Sequence, residues 1–355
     1  MKKRMKAEMR TEMKSEMKSG TILKRWKTAG ALGIAGLMLT AALLSTGCSK
    51  KEKQVVIYSN ADDEAITAMK NALDSNGYEG KYLLQSFGTS ELGGKLLAEG
   101  TDIEADVVTM SSFYLESAQD QNHMFADLAF ETQALEPYPA YYTPITKQEG
   151  AIIVNTEMMK EHGLKMPESL KDLAEPEYAG LVSVTDIKSS STAWLLMQAL
   201  ISEYGEDGAV QVLGGIYKNA GPHIESSGSA PLKKVRAGEV AAGFGLRHQA
   251  VADKAQGLPV DYVDPAEGNF SLTESVAVVD KGEQTNPLGQ EMAECIIKNG
   301  RSELIQTYPL PVYEGESGDS ANRSAYPKVF PEKLTVDLLK KHQDISERSK
   351  EYDGK

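Results

Sequence analysis

From residue 55 onward, the sequence alternates short apolar runs with longer stretches of helical periodicity. The first apolar run, 55–58, is followed by an acidic first turn at Asp62 that leads into a helix. Strands separated by helices favour an α/β fold whose sheets are largely parallel. Strands are predicted at 55–58, 81–87, 105–110, 151–154, 181–185, 240–246 and 275–279, and further helices at 90–99, 113–121 and 192–204.

Two irregular segments that contain proline and tyrosine, 136–144 and 261–270, divide this series into three blocks. Two crossings of the chain between two lobes would place a ligand-binding cleft between them. We therefore predict a two-lobed α/β protein with a hinged cleft. Lobe 1 is expected to comprise 55–150 and 271–355 with the C-terminal helices, and lobe 2 to comprise 151–270.

The first 47 residues have the pattern of an export signal rather than of a folded domain. Ten basic side chains in 1–27 precede an uncharged, largely apolar run at 28–47. Its apolar part is short for a membrane span, which takes roughly 20 consecutive apolar residues. The small residues before Cys48 resemble the lipobox of bacterial lipoproteins, which implies acylation of Cys48 and a tether at 48–54. An ordinary signal peptide with an incidental cysteine, or an uncleaved anchor helix, is the alternative.

The charge balance argues against nucleic acid as a partner. The chain has 38 basic and 51 acidic side chains, a formal net charge of −13, and the predicted signal peptide contains ten of the basic ones. The exported protein is therefore strongly acidic, so local dipoles and one or two cations must hold an anionic ligand. Cys295 is the other cysteine, and no disulfide is expected once Cys48 is acylated. We expect a monomer without a cofactor or a bound metal.

Hydroxyl-bearing residues precede a predicted helix in lobe 2. Ser190, Ser191 and Thr192 lead directly into the helix at 192–204. Hydroxyls and free backbone N–H groups at a helix N-terminus bind anions, whereas helix capping alone needs one such residue. Ser227 and Ser229 lie in a glycine-containing loop. The consecutive N–H groups of that loop suit an anion-binding concavity, and a plain flexible turn is the alternative.

Polar residues also follow the predicted strands of lobe 1. Open α/β sheets bind their ligands at the carboxyl ends of parallel strands. Three such junctions should therefore converge on one rim, although junctions of this kind are polar in any protein. The candidate ligand-binding residues at these junctions are Ser59, Asn60, Thr89, Ser90, Ser111 and Ser112.

Several segments together resemble the type II periplasmic solute-binding family, in the branch that contains ferric-ion, phosphonate and sugar-phosphate binders. The resemblance covers roughly 54–330 and implies two α/β lobes, a hinged cleft, no catalysis and a membrane permease as partner. The matching segments are 55–60, 86–92, 151–156, 167–173, 227–231 and 235–243.

The same resemblance implies roles for residues near the last two predicted strands. Where ferric-binding relatives carry two adjacent tyrosines, this sequence has Arg247 and His248. An obligate cation would repel Fe³⁺ but would pair well with a phosphate or a phosphonate. His248 and Glu274 match positions that contact polar ligand groups in sugar-phosphate-binding relatives. A surface salt bridge for Arg247 and a core position for His248 are the alternatives.

These patterns predict a binding function rather than catalysis. The sequence has no nucleotide-binding glycine motif, no HExxH and no G-x-S-x-G. We expect an exported lipoprotein on the outer face of the cell membrane that captures a small phosphonate or phosphorylated organic anion for an ABC importer. A lipoprotein that binds ferric or another metal ion is the alternative. A tethered hydrolase and an adhesion lipoprotein represent other classes.

Overall fold

The structure, a computed structural model, describes residues 53–352. The signal peptide predicted at 1–47 and the lipidation predicted at Cys48 lie outside the described residues. Within 53–352, no helix is long and apolar enough to cross a membrane.

The described residues alternate between strands and helices along most of the chain, which confirms the expected α/β class. The strands are β1 Val55–Ser59, β2 Tyr82–Ser86, β3 Val107–Ser111, β4 Phe125–Ala126, β5 Tyr142–Asn155, β6 Val182–Thr185, β7 Ile224–Glu225, β8 Ala242–Leu246, β9 Val260–Val263, β10 Asn269–Val279 and β11 Pro327–Lys328. The α-helices are α1 Asp63–Leu73, α2 Thr89–Glu99, α3 Ser112–Asn122, α4 Thr156–Glu161, α5 Thr192–Ala220, α6 Ala230–Ala237, α7 Arg247–Ala255, α8 Leu288–Thr307 and α9 Val336–Lys350. Short helices of other types cover Asp74–Tyr78, Gly100–Asp102, Leu170–Ala174, Pro176–Tyr178, Gly282–Gln284 and Ser320–Asn322.

The strands form one continuous sheet in the order β2-β1-β3-β10-β5-β8-β6-β7. At one end β1 pairs in parallel with β2 and with β3, and at the other end β6 pairs in parallel with β7 and with β8. The two central strands, β10 and β5, are antiparallel to each other and to their outer neighbours. The strand–helix junctions of both parallel ends line the same cavity, so the topology brings the polar residues of distant segments together.

The central strands are longer than the sequence pattern predicts. The pairing register of β5 and β10 shifts at Glu274, which leaves Ile145 as an extra residue in a bulge. Pro144 has no N–H to donate to a strand ladder, and proline is tolerated at such a bulge. The segments predicted to be irregular, 136–144 and 261–270, therefore contribute residues to strands. The lobe boundaries predicted at 150 and 270 fall inside these two strands and stay predictions.

The first residues of α5 anchor this helix in the core. Trp194 is fully buried, and its Nε1 donates to Nδ1 of His342 on α9 at 2.7 Å. The ring of Phe113 lies edge-on to it, 4.9 Å away between centroids. The predicted helix 192–204 is followed by a kink at Gly205 (φ 68°), after which α5 continues. Trp194 therefore reports on the packing of α5 against α9 rather than on the cavity.

His342 is expected to make stability depend on pH. Burial lowers its pKa from 6.5 to about 4, so the folded protein keeps the neutral ring that accepts from Trp194. As pH falls below 6.5 the unfolded chain binds this proton first, and stability is lost until pH passes through about 4. We therefore expect urea unfolding to show that His342→Gln loses less free energy of unfolding between pH 7 and pH 5 than the parent protein does. The control His162→Gln, at an exposed position, should lose as much free energy of unfolding as the parent over this pH range. An equal loss in all three proteins would show that His342 does not cause it.

Candidate functional site

A cavity of about 660 Å³ lies where the strand–helix junctions of both sheet ends meet. The N-terminal ends of α1, α2, α5, α6 and α7 all contribute to its lining. Free backbone N–H groups at such ends carry partial positive charge. The convergence of several helix N-termini therefore makes the cavity suitable for an anionic group.

One side of the cavity, which we call the serine wall, consists of 189–192, 226–229 and Lys233. Ser191 and Ser229 occupy the N-cap positions of α5 and α6, yet neither side chain accepts a capping hydrogen bond. Simple helix capping, the alternative for these residues, therefore does not occupy these two hydroxyls. The hydroxyl of Ser191 remains available to a ligand, whereas that of Ser229 shares a hydrogen bond of 3.3 Å with the hydroxyl of Ser227.

The serine wall depends on a close backbone approach at Gly228. A Cβ atom at this position would lie 2.2 Å from Oγ1 of Thr192 and 3.0 Å from Oγ of Ser190. Only glycine leaves room for both hydroxyls in their present places. The hydroxyls of Ser227 and Ser229 lie 3.3 Å apart on the two sides of this glycine. The loop thus gathers hydroxyls from two segments at one point.

The opposite side, which we call the acidic wall, consists of Asp62, Asp63, Glu64 and Glu274, with Asn60 and Thr89 beside them. In the amide orientation that satisfies its neighbours, Asn60 donates to Oε2 of Glu274 at 2.9 Å and accepts from Oγ1 of Thr89 at 3.0 Å. Ser111 donates to the other oxygen of Glu274 at 2.6 Å. Hydrogen bonds from two strand ends therefore fix this carboxyl group at the edge of the cavity.

Burial changes the protonation of several cavity groups. It raises the pKa of Glu274 to about 7. Burial and, after it, the neighbouring Glu64 raise the pKa of Asp62 to about 6. Burial lowers the pKa of His248 to about 3, so its ring is neutral at physiological pH. The hydrogen bonds from Ser111 and Asn60 to Glu274, and the charge of Lys233 near Asp62, offset only part of the effect of burial on these two carboxyl groups.

His248 connects the two walls. Its ring lies 4.7 Å from that of Tyr308, measured between centroids, and both residues line the cavity. The side chain is 7% exposed, and its Nε2 has no hydrogen-bond partner among the described residues. A buried polar atom without a partner costs stability unless a ligand or water satisfies it. The satisfied core position considered as an alternative therefore does not describe His248.

Nine of the fourteen predicted ligand-binding residues line the cavity, and five do not. The nine are Asn60, Thr89, Ser190, Ser191, Thr192, Ser227, Ser229, His248 and Glu274. The five are Ser59, Ser90, Ser111, Ser112 and Arg247.

Four of the five residues outside the cavity are serines at the predicted junctions of lobe 1. Ser59 is fully buried and accepts from Oγ1 of Thr109 at 2.7 Å. Ser111 donates a hydrogen bond to Glu274, and Ser112 donates to the carbonyl oxygen of Thr273 at 3.0 Å. Successive residues of a helix point about 100° apart, so two neighbours need not face the same side. Ser90 is displaced from Thr89 in this way.

The structure corrects the predicted position of Arg247. Its guanidinium donates to both carboxylate oxygens of Asp264, at 2.7 and 3.2 Å, and to the carbonyl oxygens of Ala321 and Arg323. It also lies over the ring of Tyr262, 4.6 Å from the centroid. The side chain is 5% exposed, so the pair is buried rather than a surface salt bridge. Because these partners occupy the guanidinium, Arg247 does not supply the charge that the cavity offers to an anion.

Lys233 and Asp62 are cavity residues that the sequence alone did not single out as ligand contacts. Lys233 makes no ion pair with any described residue, whereas its neighbour Lys234 pairs with Glu225 at 2.8 Å. The position of Lys233 after a serine-rich helix start is the signal that could have identified it. The acidic turn at Asp62 is visible in the sequence, but the same pattern complements the helix dipole.

A second, smaller cavity of about 260 Å³ shares the central strands with the first. On β10, Thr273 lines the second cavity and Glu274 the first. On β5, Lys147 lines the second cavity, whereas Thr146 and Gln148 line the first. The alternation of side chains along a strand explains this division.

Comparisons with known proteins agree with the fold. An uncharacterized protein of Haemophilus influenzae is 24% identical over 254 residues, which are 67% of this chain and 71% of that protein. The Fe(3+)-binding periplasmic protein of Serratia marcescens is 26% identical over 233 residues, 64% of this chain and 67% of that protein. The structure of the periplasmic binding protein AfuA from Actinobacillus pleuropneumoniae, with fructose-6-phosphate bound, matches with a TM-score of 0.65 at 21% identity, covering 84% of this chain and 97% of that one.

The family model that describes bacterial extracellular solute-binding proteins matches residues 104–321, more than half of the chain. The matched region contains the serine wall, the central strands and Glu274. The two-lobed type II fold and the family resemblance expected from the sequence are confirmed. The chain therefore belongs to the bacterial extracellular solute-binding protein family.

Proposed function

We propose that this protein captures a small phosphorylated or phosphonate-bearing organic anion in the 660 Å³ cavity and delivers it to an ABC permease. The serine wall carries this proposal. Two N-cap serines whose hydroxyls accept no capping hydrogen bond lie at helix N-termini, and Lys233, which forms no ion pair with a described residue, lines the same wall. A tetrahedral oxyanion accepts several hydrogen bonds at once, which matches this arrangement of donors.

The export and anchoring parts of the proposal rest on the sequence. The basic and apolar segments before Cys48 suit an exported lipoprotein whose acylated cysteine holds a monomer on the outer face of the membrane. The proposal also holds that the protein binds its ligand without converting it. Closure of the walls on the ligand would be a population shift driven by contacts to both sides.

The proposal is tested by isothermal titration calorimetry, in which candidate ligands are added to the protein without its predicted signal peptide, 1–47. The panel comprises propylphosphonate, fructose-6-phosphate, inorganic phosphate and ferric citrate, with the melting temperature recorded in parallel, since a ligand that binds the folded state stabilises it by about 2.7 kcal/mol at 100 times Kd. Saturable binding of an organic phosphate or phosphonate supports the proposal. Binding of ferric citrate alone would overturn it in favour of the metal-ion alternative, which the Serratia relative's name suggests.

Lys233→Gln should weaken binding of whichever organic phosphate or phosphonate binds. Loss of a hydrogen bond to a charged group costs about 1.5 kcal/mol or more, which corresponds to roughly tenfold in Kd. The adjacent Lys234→Gln is the matched control, because Lys234 pairs with Glu225 outside the cavity. Calorimetry should give the parent Kd for this control. Equal affinities for the two variants would show that Lys233 is not the ligand's cation.

A further inference from the structure

The two walls of the cavity differ in charge. Among the described residues, five carboxylates and two cationic side chains line it. One carboxylate, Asp253, is bound by Arg236 through two hydrogen bonds of 2.8 Å, so these two charges compensate each other. Lys233 then gives the serine wall a positive charge, and the acidic wall holds the four remaining carboxylates. The cavity is therefore dipolar, and an anion alone would leave one wall without a partner.

Helix-dipole complementation does not account for the whole acidic wall. Asp63 and Glu64 are exposed in the first turn of α1, where negative charge is favourable in any helix. Asp62 occupies the N-cap position, but its carboxylate accepts no capping hydrogen bond. It also has no ion pair with a described residue. Glu274 is 8% exposed and likewise has no cation beside it. Lys233 offsets part of the rise in the pKa of Asp62, but neither of these two desolvated carboxyl groups has an ion-pair partner among the described residues.

His248 provides an independent indication that an occupant reaches this wall. Its unpartnered Nε2 and its contact with Tyr308 place an unsatisfied buried polar group where the two walls meet. The ring is neutral, because burial lowers its pKa to about 3. A neutral imidazole does not repel a cation and can accept a hydrogen bond from one.

We propose that the ligand is zwitterionic, with a phosphate or phosphonate on the serine wall and a primary ammonium group between Asp62 and Glu274. This inference rests on the proposed function and adds a positively charged group to the proposed ligand. An ammonium group has three donors and a full positive charge, so it can bind two carboxylates and relieve their mutual repulsion. A hydroxyl group at the same place would supply a hydrogen bond but no charge.

The test compares 3-aminopropylphosphonate, 3-hydroxypropylphosphonate and propylphosphonate by calorimetry at pH 7. We expect the amino compound to bind about tenfold or more tightly than the other two, because it forms charge-assisted hydrogen bonds with both carboxylates. Asp62→Asn should remove most of this preference, measured as the ratio of the Kd values for propylphosphonate and the amino compound. The exposed Asp102→Asn, outside the cavity, should keep the parent's preference.

Proton release gives a second readout. Because burial raises the pKa of Asp62 to about 6 and of Glu274 to about 7, a cation between them should lower both values and release protons at pH 6.5. Titrations in two buffers of different ionisation heat should detect more release with the amino compound than with propylphosphonate. Equal affinity for the three compounds, or no release, overturns the inference and leaves the proposed function standing. If no organic phosphate or phosphonate binds, both the zwitterionic-ligand inference and the proposed function are overturned.

Discussion

Arg247→Met is expected to lower the free energy of unfolding by about 3–5 kcal/mol, the cost of breaking a buried ion pair from one side. The substitution leaves the Asp264 carboxylate buried, with Asn269 and the backbone N–H of Ala325 as its remaining donors. It also leaves the carbonyl oxygens of Ala321 and Arg323 without the guanidinium. For a protein of this size the melting temperature should fall by about 6–10 °C. Thermal and urea unfolding would measure both quantities.

The same variant separates a structural role from a ligand-binding role. Once folded, Arg247→Met should bind the ligand with a Kd within about twofold of the parent, because the guanidinium lies outside the cavity and its charge is compensated by Asp264. The double variant Arg247→Met, Asp264→Asn is the control, and it should recover part of the lost stability by removing the uncompensated charge. Unchanged stability together with a large loss of affinity would restore the ligand role that the sequence suggested.

Gly228→Ala is expected to weaken ligand binding about 100-fold, equivalent to roughly 2.8 kcal/mol. The new methyl group would lie 2.2 Å from Oγ1 of Thr192 and 3.0 Å from Oγ of Ser190, so both hydroxyls must move. Two hydrogen bonds to a charged group would then be lost or lengthened. Calorimetry with a phosphonate or organic phosphate that the parent binds would measure the effect.

A matched glycine substitution tests whether that loss is local. Gly94 lies inside α2, and a Cβ there meets nothing within 4 Å. Gly94→Ala should therefore keep the parent Kd and slightly raise stability, since alanine is the better helix former. Parent-like binding by Gly228→Ala would show that the serine wall does not hold the ligand. If Gly228→Ala melted several degrees below the parent, binding at a lower temperature would distinguish misfolding from a blocked site.

The secondary structure could be predicted well from the sequence because it depends on local pattern. The apolar run at 55–58 and the helical periodicity at 192–204 both correspond to elements of the structure. The central strands are longer than predicted because the segments 136–144 and 261–270, which look irregular in sequence, contribute residues to them. The bulge that accommodates Pro144 in β5 depends on the pairing with β10. That pairing joins residues more than a hundred positions apart, which no local pattern records.

The site could be predicted as a set of junctions but not as a set of side chains. Whether Thr89 or Ser90 faces the cavity depends on the phase of a helix relative to the whole fold, and the same is true of Lys233 and Lys234. Arg247 was misplaced for a different reason. Its carboxylate partner, Asp264, comes 17 residues later, and the sequence does not reveal that the chain returns to that point.

The shared walls of the two cavities also bear on how this protein could change its ligand. Thr273 and Glu274 are neighbours in sequence but face different cavities. Inserting or deleting one residue in β10 would exchange the two faces, placing Thr273 or Ser275 where Glu274 now lines the larger cavity. Descendants of this protein should therefore acquire new specificities by substituting every second residue of the central strands, whereas changes in the length of those strands should be confined to lineages that have lost binding.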